Sequence, residues 1–409
     1  ERSLYHAHCD NNDASTYLRE QYRREAARFA HRPKISVLMP VYNVDVCWLQ
    51  RAVESVRAQV YDNWELCLAD DASPRRDLHD YLRQLADDPR IKVTFRSANG
   101  HICRATNSAA DLATGEFVAF MDNDDELAPD ALYHYVRRLQ VEPDIDVFYS
   151  DEDKIDATGR RYDPQFKPDW SPELLLSYNY VNHFTCMRRE LFERAGRFRP
   201  GFEGGQDYDL LLRATELTER IVHVPSSTAA AASVKPVMFT SCERALRDRL
   251  NRLGIAATPS TPDFADRLRL PISLLESPDS GPAVTVLVTG PSTAAAAAAE
   301  RLRAATTYRN ARFMPVARDG MSLSAAINRA VADVADDFVA VVNAELTPRD
   351  PRWLSRLVGY CRLPGVGCVG PRVVDAGGRL RLACVVLGLH DESAPGLAFQ
   401  GHRADVVSY

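Results

Sequence analysis

The chain has 409 residues, more than one hydrophobic core ordinarily organises, so at least two domains are expected. Hydrophobic residues make up 45% and charged residues 26%, a balance that excludes a disordered or fibrous protein. The formal net charge of -6 excludes a general attraction to nucleic acid or anionic lipid, so no nucleic-acid partner is expected and any anionic ligand needs a local site.

Residues 1–33 are predicted to form a helical extension, with Ser15 or Thr16 as its cap. Its arginines are candidates for peripheral membrane contact, but a solvated helix face is the favoured interpretation. The nine cysteines are scattered without a C-x-x-C pair, which is typical of reduced thiols. With no signal-peptide core and no long apolar run, the sequence predicts a cytoplasmic protein, with contact at the inner face of the cell membrane left open.

Residues 34–258 are predicted to form an α/β domain. The runs "KISVLMPVYN", "WELCLADDAS", "IKVTFRS" and "GEFVAFMDNDD" read as strands, and helical patterns separate them. This alternation predicts a doubly wound sheet, which binds ligands beyond the carboxyl ends of its strands. Polar side chains gather at those ends, which indicates a functional cleft: Tyr42, Asn43, Asp70, Asp71, Asn99, Asp122, Asn123, Asp124 and Asp125.

The stretch "FMDNDDELAPD" carries four acids within residues 122–126. Carboxylates spaced Asp-x-Asp at a strand end can offer hard oxygens to Mg²⁺ or Mn²⁺, and these ions also bind phosphates. A solvated turn that caps the next helix is the alternative. No G-x-G-x-x-G follows an early strand, so a glycine-rich phosphate loop is not expected. That absence argues against a dehydrogenase and favours metal-assisted transfer.

Asp207 falls in the first turn of a predicted helix, after Gly204 and Gly205, where the helix dipole already favours an acid. Residues 259–282 are rich in Pro and Ser and are predicted to be a linker. Residues 283–409 repeat the strand and helix pattern of the first domain, which predicts a second, degenerate and incomplete copy. In that copy Asn343, Ala344 and Glu345 replace the acidic motif.

Four motifs in order, "ISVLMPVYN", "YDNWELCLADDAS", "GEFVAFMDNDDEL" and "GGQDYDLLLR", resemble the inverting family 2 glycosyltransferases, which have the GT-A fold with a mixed sheet. "YSDEDKID" and "PQFKPDWSPELLLSYNY" further resemble bacterial enzymes of O-antigen and surface polysaccharide synthesis. The resemblance implies a nucleoside-diphosphate sugar donor, UDP- or dTDP-linked, and a divalent Mn²⁺ or Mg²⁺. It also implies a glycan or lipid-linked oligosaccharide acceptor. Homo-oligomerisation and polysaccharide-assembly partners stay open.

The resemblance also carries site residues over to this sequence. Asp207 matches the catalytic base, although Gln206 stands where Glu is commoner. Asp122 and Asp124 match the metal-binding motif, with Asp124 as the direct ligand and Asp125 as its alternative. The residues implied for the donor site are Pro40, Tyr42, Asn43, Asp70, Asp71, Asn99, Arg104, Asp122 and Asn123.

The acceptor site is expected between the metal motif and the base. The residues implied for it are Asp151, Glu152, Trp170, His183 and Gln206. An indole can stack on a sugar ring, but a packing role is favoured for Trp170 and a structural role for His183.

After "ERIVHVP" the family continues through an aromatic and basic segment that this sequence lacks, so residues are expected to be missing between Pro225 and Ser226. A second such gap is expected between Gly320 and Met321. Two competing functions stay open. One is a nucleotidyltransferase, which normally needs a glycine-rich phosphate loop. The other is a non-catalytic scaffold that binds sugar nucleotides or glycans, which would need neither Asp-x-Asp nor Asp207.

Overall fold

The computed structural model describes residues 15–156, 158–231, 239–262, 271–318, 320–382, 384–391 and 394–398, together with Tyr5 and Ala265. They fall into two compact units. The first lies within residues 1–249 and 269–273, and the second within residues 250–268 and 274–409. The domain limits predicted from the sequence stay predictions.

The first unit begins with alternating strands and helices and continues with a less regular stretch. In chain order its elements are α1 (Thr16–Ala26), β1 (Ile35–Val41), α2 (Val46–Arg57), β2 (Trp64–Asp70), α3 (Arg76–Leu85), β3 (Ile91–Phe95), α4 (His101–Ala110), β4 (Phe117–Phe120), β5 (Glu126–Leu127), α5 (Ala131–Leu139), β6 (Val147–Ile155), β7 (Arg161–Gln165), α6 (Pro172–Leu175), β8 (Cys186–Arg188), α7 (Arg189–Arg194), α8 (Gln206–Ala214) and β9 (Ile221–Ala231). A further helix, α9 (Phe239–Arg252), begins in this unit.

Nine strands form one mixed sheet in the order β3-β2-β1-β4-β8-β6-β9-β5, and β7 pairs with β6. β1 runs parallel to β2 and β4, and β2 runs parallel to β3. β8 runs antiparallel to β4 and β6. Every residue of β1 and β2 is buried, as expected for strands covered on both faces. The predicted α/β class with a mixed sheet is confirmed, and the carboxyl ends of β1 to β4 share one edge.

The amino-terminal edge of the same sheet also holds a polar cluster, which the sequence did not reveal. Buried Glu65 accepts hydrogen bonds from Ser36 Oγ at 2.6 Å, the Thr114 N–H at 2.5 Å and Lys92 Nζ at 2.9 Å. These donors come from β1, from the loop before β4 and from β3. Burial acts to raise the pKa of Glu65, but the hydrogen bonds prevail and lower that pKa to about 2. Glu65 therefore fastens the sheet together at the edge away from the predicted cleft.

Helix α1 begins as predicted, because the Ser15 side chain accepts the Leu18 N–H at 3.3 Å. Tyr22 of α1 stacks on Tyr133 of α5 with ring centroids 4.3 Å apart. The N-terminal helix is thereby packed on the first unit. At the far end of the sheet β9 runs continuously through Pro225 and Ser226, and the expectation of missing residues there stays a prediction.

The second unit contains a parallel sheet of three strands with the order β13-β12-β14. Three short antiparallel pairs, β10 with β11, β15 with β16 and β17 with β18, accompany it. In chain order the elements are β10 (Thr258–Ser260), β11 (Leu274–Glu276), β12 (Val284–Thr289), α10 (Ser292–Ala304), β13 (Ala311–Val316), α11 (Leu323–Ala332), β14 (Phe338–Asn343), α12 (Trp353–Cys361), β15 (Val373–Val374), β16 (Leu380–Leu382), β17 (Cys384–Asp391) and β18 (Ala394–Ala398).

The strand register of the second unit agrees with an internal repeat. Val284 pairs with Phe338 at the start of β12 and β14, as Ile35 pairs with Phe117 at the start of β1 and β4. The described chain between β13 and β14 contains a single helix, where the first unit has α3, β3 and α4 between β2 and β4. In the part of the chain that the structure describes, no helix combines the length and apolar character needed to span a membrane.

Candidate active site

A pocket opens at the carboxyl edge of β1 and β4. Pro40, Asp122, His183, Gln206 and Asp207 line it, together with apolar side chains from β1, α4, β8 and α8. The structure thus brings together residues that the sequence assigned to donor binding, metal binding, acceptor binding and catalysis.

The acidic turn and one histidine form a potential cation site in this pocket. His183 Nε2 lies 3.8 Å from Asp122 Oδ2, and its Nδ1 lies 3.8 Å from Asp125 Oδ2. Within the described ranges these three residues are the group of His, Cys, Asp and Glu whose ligand atoms all lie within 4.8 Å of one another. Two carboxylates and an imidazole are a donor set that a divalent transition metal such as Mn²⁺ accepts. The chemistry of these side chains therefore fits the expected metal.

The membership of this group differs from the Asp-x-Asp expectation. Asp124 lies outside it, whereas Asp125, the alternative ligand, and His183, an expected acceptor residue, lie inside it. The reason is local geometry: β4 ends at Phe120, and the Asp125 N–H donates to Asp122 O at 3.3 Å. Side chains two residues apart share a side only while the chain stays extended. In this turn Asp125 joins Asp122 and His183, and the ligand role of Asp124 stays a prediction.

The carboxylates around His183 shift the pKa of its imidazole. Burial acts to lower the pKa of its imidazole, but the carboxylates of Asp125, Asp122, Glu152 and Asp207 outweigh burial and raise that pKa to about 9. The electrostatic potential around His183 is therefore negative, and a negative potential also favours a metal cation.

Asp207 lies in the first turn of α8, as the sequence predicts, behind Gly205 at the helix N-cap. Gln206 Nε2 donates to Asp207 Oδ2 at 3.2 Å, and Gln206 Oε1 accepts the Gly204 N–H at 2.7 Å. Both ends of the Gln206 amide are thus engaged. Gln206 holds one oxygen of Asp207 rather than facing solvent.

Asp70 and Asp71, at the end of β2, have different surroundings. Asp70 Oδ2 accepts the Ser73 N–H at 3.1 Å and contacts His79 Nε2 at 3.2 Å. Asp70 Oδ1 is buried without a hydrogen-bond partner among the described residues. An unsatisfied buried carboxylate oxygen is costly, which points to a ligand donor.

Both carboxylate oxygens of Asp71 are used inside the protein. The Gly100 N–H donates to them at 2.9 and 3.0 Å, and Arg96 Nε donates to Oδ1 at 2.7 Å. Asn99 Nδ2 donates to the Asp71 backbone carbonyl at 3.2 Å. Asp71 and Asn99 therefore shape the loop that leads into α4.

The remaining residues expected at the donor site also lie around this edge. Asn123 Nδ2 donates to Pro40 O at 2.7 Å and ties β1 to the acidic turn. Asn43 has a φ of 49° and donates its N–H to Ser73 Oγ at 2.9 Å, which links the ends of β1 and β2. Tyr42 is 51% exposed, so its ring is accessible for stacking. Arg104 is exposed on α4.

The sequence of this unit matches a known family. Residues 36–196 match the family described as glycosyl transferase family 2. Residues 36–196 are therefore similar to glycosyltransferase family 2. Its fold, with a mixed sheet and the site at the strand ends, agrees with the GT-A resemblance seen in the sequence.

Some related proteins match this sequence over most of its length. The chain is 37% identical to uncharacterized protein y4gI of Sinorhizobium fredii (strain NBRC 101917 / NGR234), over 92% of this chain and 45% of that protein. It is 32% identical to O-antigen biosynthesis protein RfbC of Myxococcus xanthus, over 89% of this chain and 31% of that protein. The chain thus spans less than half the length of these relatives. Among solved structures, S. aureus TarS 1-349 in complex with UDP-GlcNAc matches with a TM-score of 0.45 and 19% identity, over 54% of this chain and 66% of that chain.

The segment that matches the family ends at residue 196, before α8. A buried ion-pair network fixes α8 to the rest of the unit: Asp209 Oδ2 accepts Arg213 Nε at 3.1 Å and Arg199 Nε at 3.1 Å. Arg213 also donates to the backbone carbonyl of Arg197 at 2.7 Å. Sequence reasoning singled out Asp207 and missed Asp209. The signal was available, because an acid two residues after Asp207 falls on the opposite, core-facing side of the helix.

The residues predicted for the acceptor side fall into two groups. Asp151 and Glu152 are buried on β6, where Asp151 Oδ1 accepts the Lys167 N–H at 2.8 Å and Glu152 Oε2 accepts the His183 N–H at 3.0 Å. Trp170 is partly buried, with its ring centroid 6.5 Å from that of Tyr180. His183 joins the potential cation site. Sequence reasoning also missed Lys167, although "PQFKPDW" was noted as a motif.

Proposed function

We propose that the chain is an inverting, metal-dependent glycosyltransferase that moves a sugar from a nucleoside-diphosphate sugar to a hydroxyl of a growing bacterial surface glycan. One observation supports this proposal above the others. A carboxylate at a helix start, Asp207, lines the same pocket as Asp122 and His183, two members of a group fit for a cation. A base and a cation site in one pocket are what a single displacement of a diphosphate requires.

Asp207 acts as the general base in this proposal. It removes the proton from the acceptor hydroxyl while that oxygen attacks the anomeric carbon from the face opposite the leaving nucleoside diphosphate. Gln206 donates to Asp207 Oδ2 and so holds the carboxylate in place for this step. One displacement inverts the anomeric configuration and needs no nucleophilic carboxylate. A divalent cation held by Asp122, Asp125 and His183 supplies charge stabilisation for the diphosphate.

Asp70 selects the nucleobase in this proposal. Its buried Oδ1 has no hydrogen-bond partner among the described residues, whereas Oδ2 is already engaged by Ser73 and His79. A single free oxygen suits the single imide N–H of uracil or thymine, while guanine presents two neighbouring donors that need two acceptors. We therefore propose a UDP- or dTDP-linked donor.

The acceptor proposal comes from the relatives. The Myxococcus protein that is 32% identical to this chain is named for O-antigen biosynthesis. We propose a glycan or lipid-linked oligosaccharide as acceptor. We further propose that the second unit is non-catalytic, since Asn343, Ala344 and Glu345 stand where the first unit has Asp122 to Asp124.

The test is nucleoside diphosphate release from UDP-, dTDP- and GDP-sugars with Mn²⁺, using the full chain and a lipid-linked oligosaccharide fraction as acceptor. We expect release from a UDP- or dTDP-sugar, and loss of that release in Asp125→Ala and His183→Ala. Asp124→Ala tests the Asp-x-Asp motif separately, because Asp124 belongs to the same turn but lies outside the cation group.

The competing function is the non-catalytic scaffold. It predicts that a sugar nucleotide binds without turnover. Binding of a donor with no release under any combination of metal and acceptor would contradict the transferase and support the scaffold.

A further inference from the structure

Lys167 is a buried lysine to which the proposed chemistry gives no role. Its side chain is 3% exposed. Its ammonium donates to three acceptors: Val181 O at 2.6 Å, His183 O, and Glu152 Oε2 at 3.3 Å. Since an ammonium group has three hydrogens, these contacts satisfy it completely. Two of the three acceptors are backbone carbonyls of the segment that carries His183.

Glu152 completes this arrangement from the neighbouring strand β6. Its Oε2, which accepts from Lys167, also accepts the His183 backbone N–H at 3.0 Å. The main chain of His183 is therefore held at both its N–H and its C=O. The N–H is held by Glu152 and the C=O by Lys167, and the two side chains are paired with each other.

The backbone of Lys167 is fixed as well. Its N–H donates to Asp151 Oδ1 at 2.8 Å, and the same oxygen lies 2.9 Å from His223 Nε2. Contacts with Asp151 of β6, itself paired with His223 of β9, therefore fix the Lys167 backbone. From there its side chain extends to the backbone of His183.

A buried ion pair is weak evidence for stability, because taking both charges out of water costs about as much as their attraction returns. An apolar pair of similar size would fill the same space. The hydrogen bonds of Lys167 and Glu152 instead concentrate on one residue, and that residue is a member of the potential cation group. The pair therefore determines where the His183 imidazole stands relative to Asp122 and Asp125.

We propose that Lys167 and Glu152 are positioning residues that hold His183 in place as a metal ligand. This inference rests on the proposed function and deepens it, since it assigns the motifs "SDED" and "PQFKPDW" to the cation site rather than to the acceptor. It predicts that the pair affects metal affinity through His183, without touching the cation.

The test is Mn²⁺ affinity of the full chain, measured by calorimetric titration and by the free Mn²⁺ signal in electron paramagnetic resonance. Supporting groups around a metal ligand typically contribute about 10–100-fold in metal affinity, and we expect a loss of that size in Lys167→Met. Lys154→Met is the matched control, because Lys154 lies on β6 but pairs with Asp163, whose side chain is 58% exposed. We expect unchanged affinity in that control.

A double-mutant cycle separates positioning from a merely structural role. In a His183→Ala background we expect Lys167→Met to cause no further loss of Mn²⁺ affinity, because the group that Lys167 positions is already gone. The thermal midpoint of each variant is recorded, and affinities are compared at a temperature where every variant is folded. If Lys167→Met does not fold, Glu152→Gln, which keeps the size of the side chain, takes its place in this cycle of Mn²⁺ affinities.

Three outcomes overturn the inference, and they differ in what they imply for the proposed function. If the wild-type chain binds Mn²⁺ and Lys167→Met and Glu152→Gln both bind it equally well, the positioning role is wrong and the proposed function stands. Equal additional losses with and without His183 overturn the inference in the same way. If the wild-type chain binds no Mn²⁺, the cation site of the proposed function fails together with the inference.

Discussion

Glu65 offers a quantitative test of how the sheet under the site is held together. Its buried carboxylate accepts hydrogen bonds from Ser36, Thr114 and Lys92. These bonds lower its pKa from 4.5 to about 2. The shift corresponds to about 3 kcal/mol of stability at neutral pH. We expect Glu65→Gln, which keeps the shape but removes the charge, to lower the free energy of unfolding by about that amount.

The pH dependence has a definite sign. The folded-state pKa lies below the unfolded one, so the contribution is fully present above about pH 4.5 and is lost as the pH falls toward 2. The difference in unfolding free energy between wild type and Glu65→Gln should therefore be constant from pH 7 to about 5. It should shrink steadily below that range, as Glu65 becomes protonated in the unfolded chain first.

The assay is urea unfolding followed by tryptophan fluorescence, because three of the four tryptophans lie in the first unit. Glu54→Gln is the matched control. Glu54 pairs with Arg57 on the surface of α2 with its side chain 63% exposed, and a surface pair contributes about 0–1 kcal/mol. A difference for Glu65→Gln that stays the same at pH 7 and pH 3, or that equals the Glu54 control, would refute the reasoning.

Three further predictions concern the site. Asp209→Ala removes the shared partner of Arg199 and Arg213 and should destabilise the first unit by about 3–5 kcal/mol in urea unfolding; a loss under about 1 kcal/mol would contradict the anchoring role. Gln206→Glu places a second carboxylate beside Asp207 and should move the acid limb of the kcat–pH profile to higher pH. Gln206→Ala should lower kcat. An acid limb that does not move in Gln206→Glu would contradict the contact between Gln206 and Asp207. Asp70→Asn should weaken UDP or dTDP binding about 10–100-fold in calorimetry, the size of a hydrogen bond to a charged group, and equal binding would remove Asp70 from base recognition.

The fold and the location of the site could be predicted because they depend on periodic signals. Apolar runs alternating with helical patterns give a sheet with β1 to β4 parallel, and parallel strands bring their carboxyl ends to one edge. Asp122 could therefore be placed at the cleft, whereas the role of Asp207 came from the family resemblance. The strand register of the second unit agrees with the predicted repeat, since Val284 pairs with Phe338 as Ile35 pairs with Phe117.

The identity of the cation group could not be predicted from spacing. Asp-x-Asp spacing is informative on an extended chain, but the chain turns after β4, and Asp125 joins Asp122 and His183 in the potential cation group. His183 arrives from a segment 58 residues further on than Asp125, and long-range approach of this kind leaves no local pattern. Its position depends on buried polar contacts with Lys167 and Glu152.

Buried acids that serve the structure were equally hard to separate from functional ones. Asp70 and Asp71 are neighbours in the sequence, yet Asp71 is saturated by Gly100 and Arg96 while Asp70 keeps a buried oxygen without a partner among the described residues. Glu65 shows that the opposite edge of the sheet is also polar, so polar character alone does not mark the functional edge. The two edges differ in whether their buried polar groups find hydrogen-bond partners among themselves.

The central claim, that Asp207 is the base of a transfer reaction, is tested most directly by comparing Asp207→Asn with the wild-type chain. Sugar transfer from the accepted donor is measured with Mn²⁺, alongside the affinity for nucleoside diphosphate. The account predicts a fall in the transfer rate of about 10²–10⁴-fold, the usual contribution of general base catalysis, with nucleoside diphosphate binding retained. A transfer rate within a few-fold of wild type in the folded variant would contradict the claim and place the base elsewhere in the pocket.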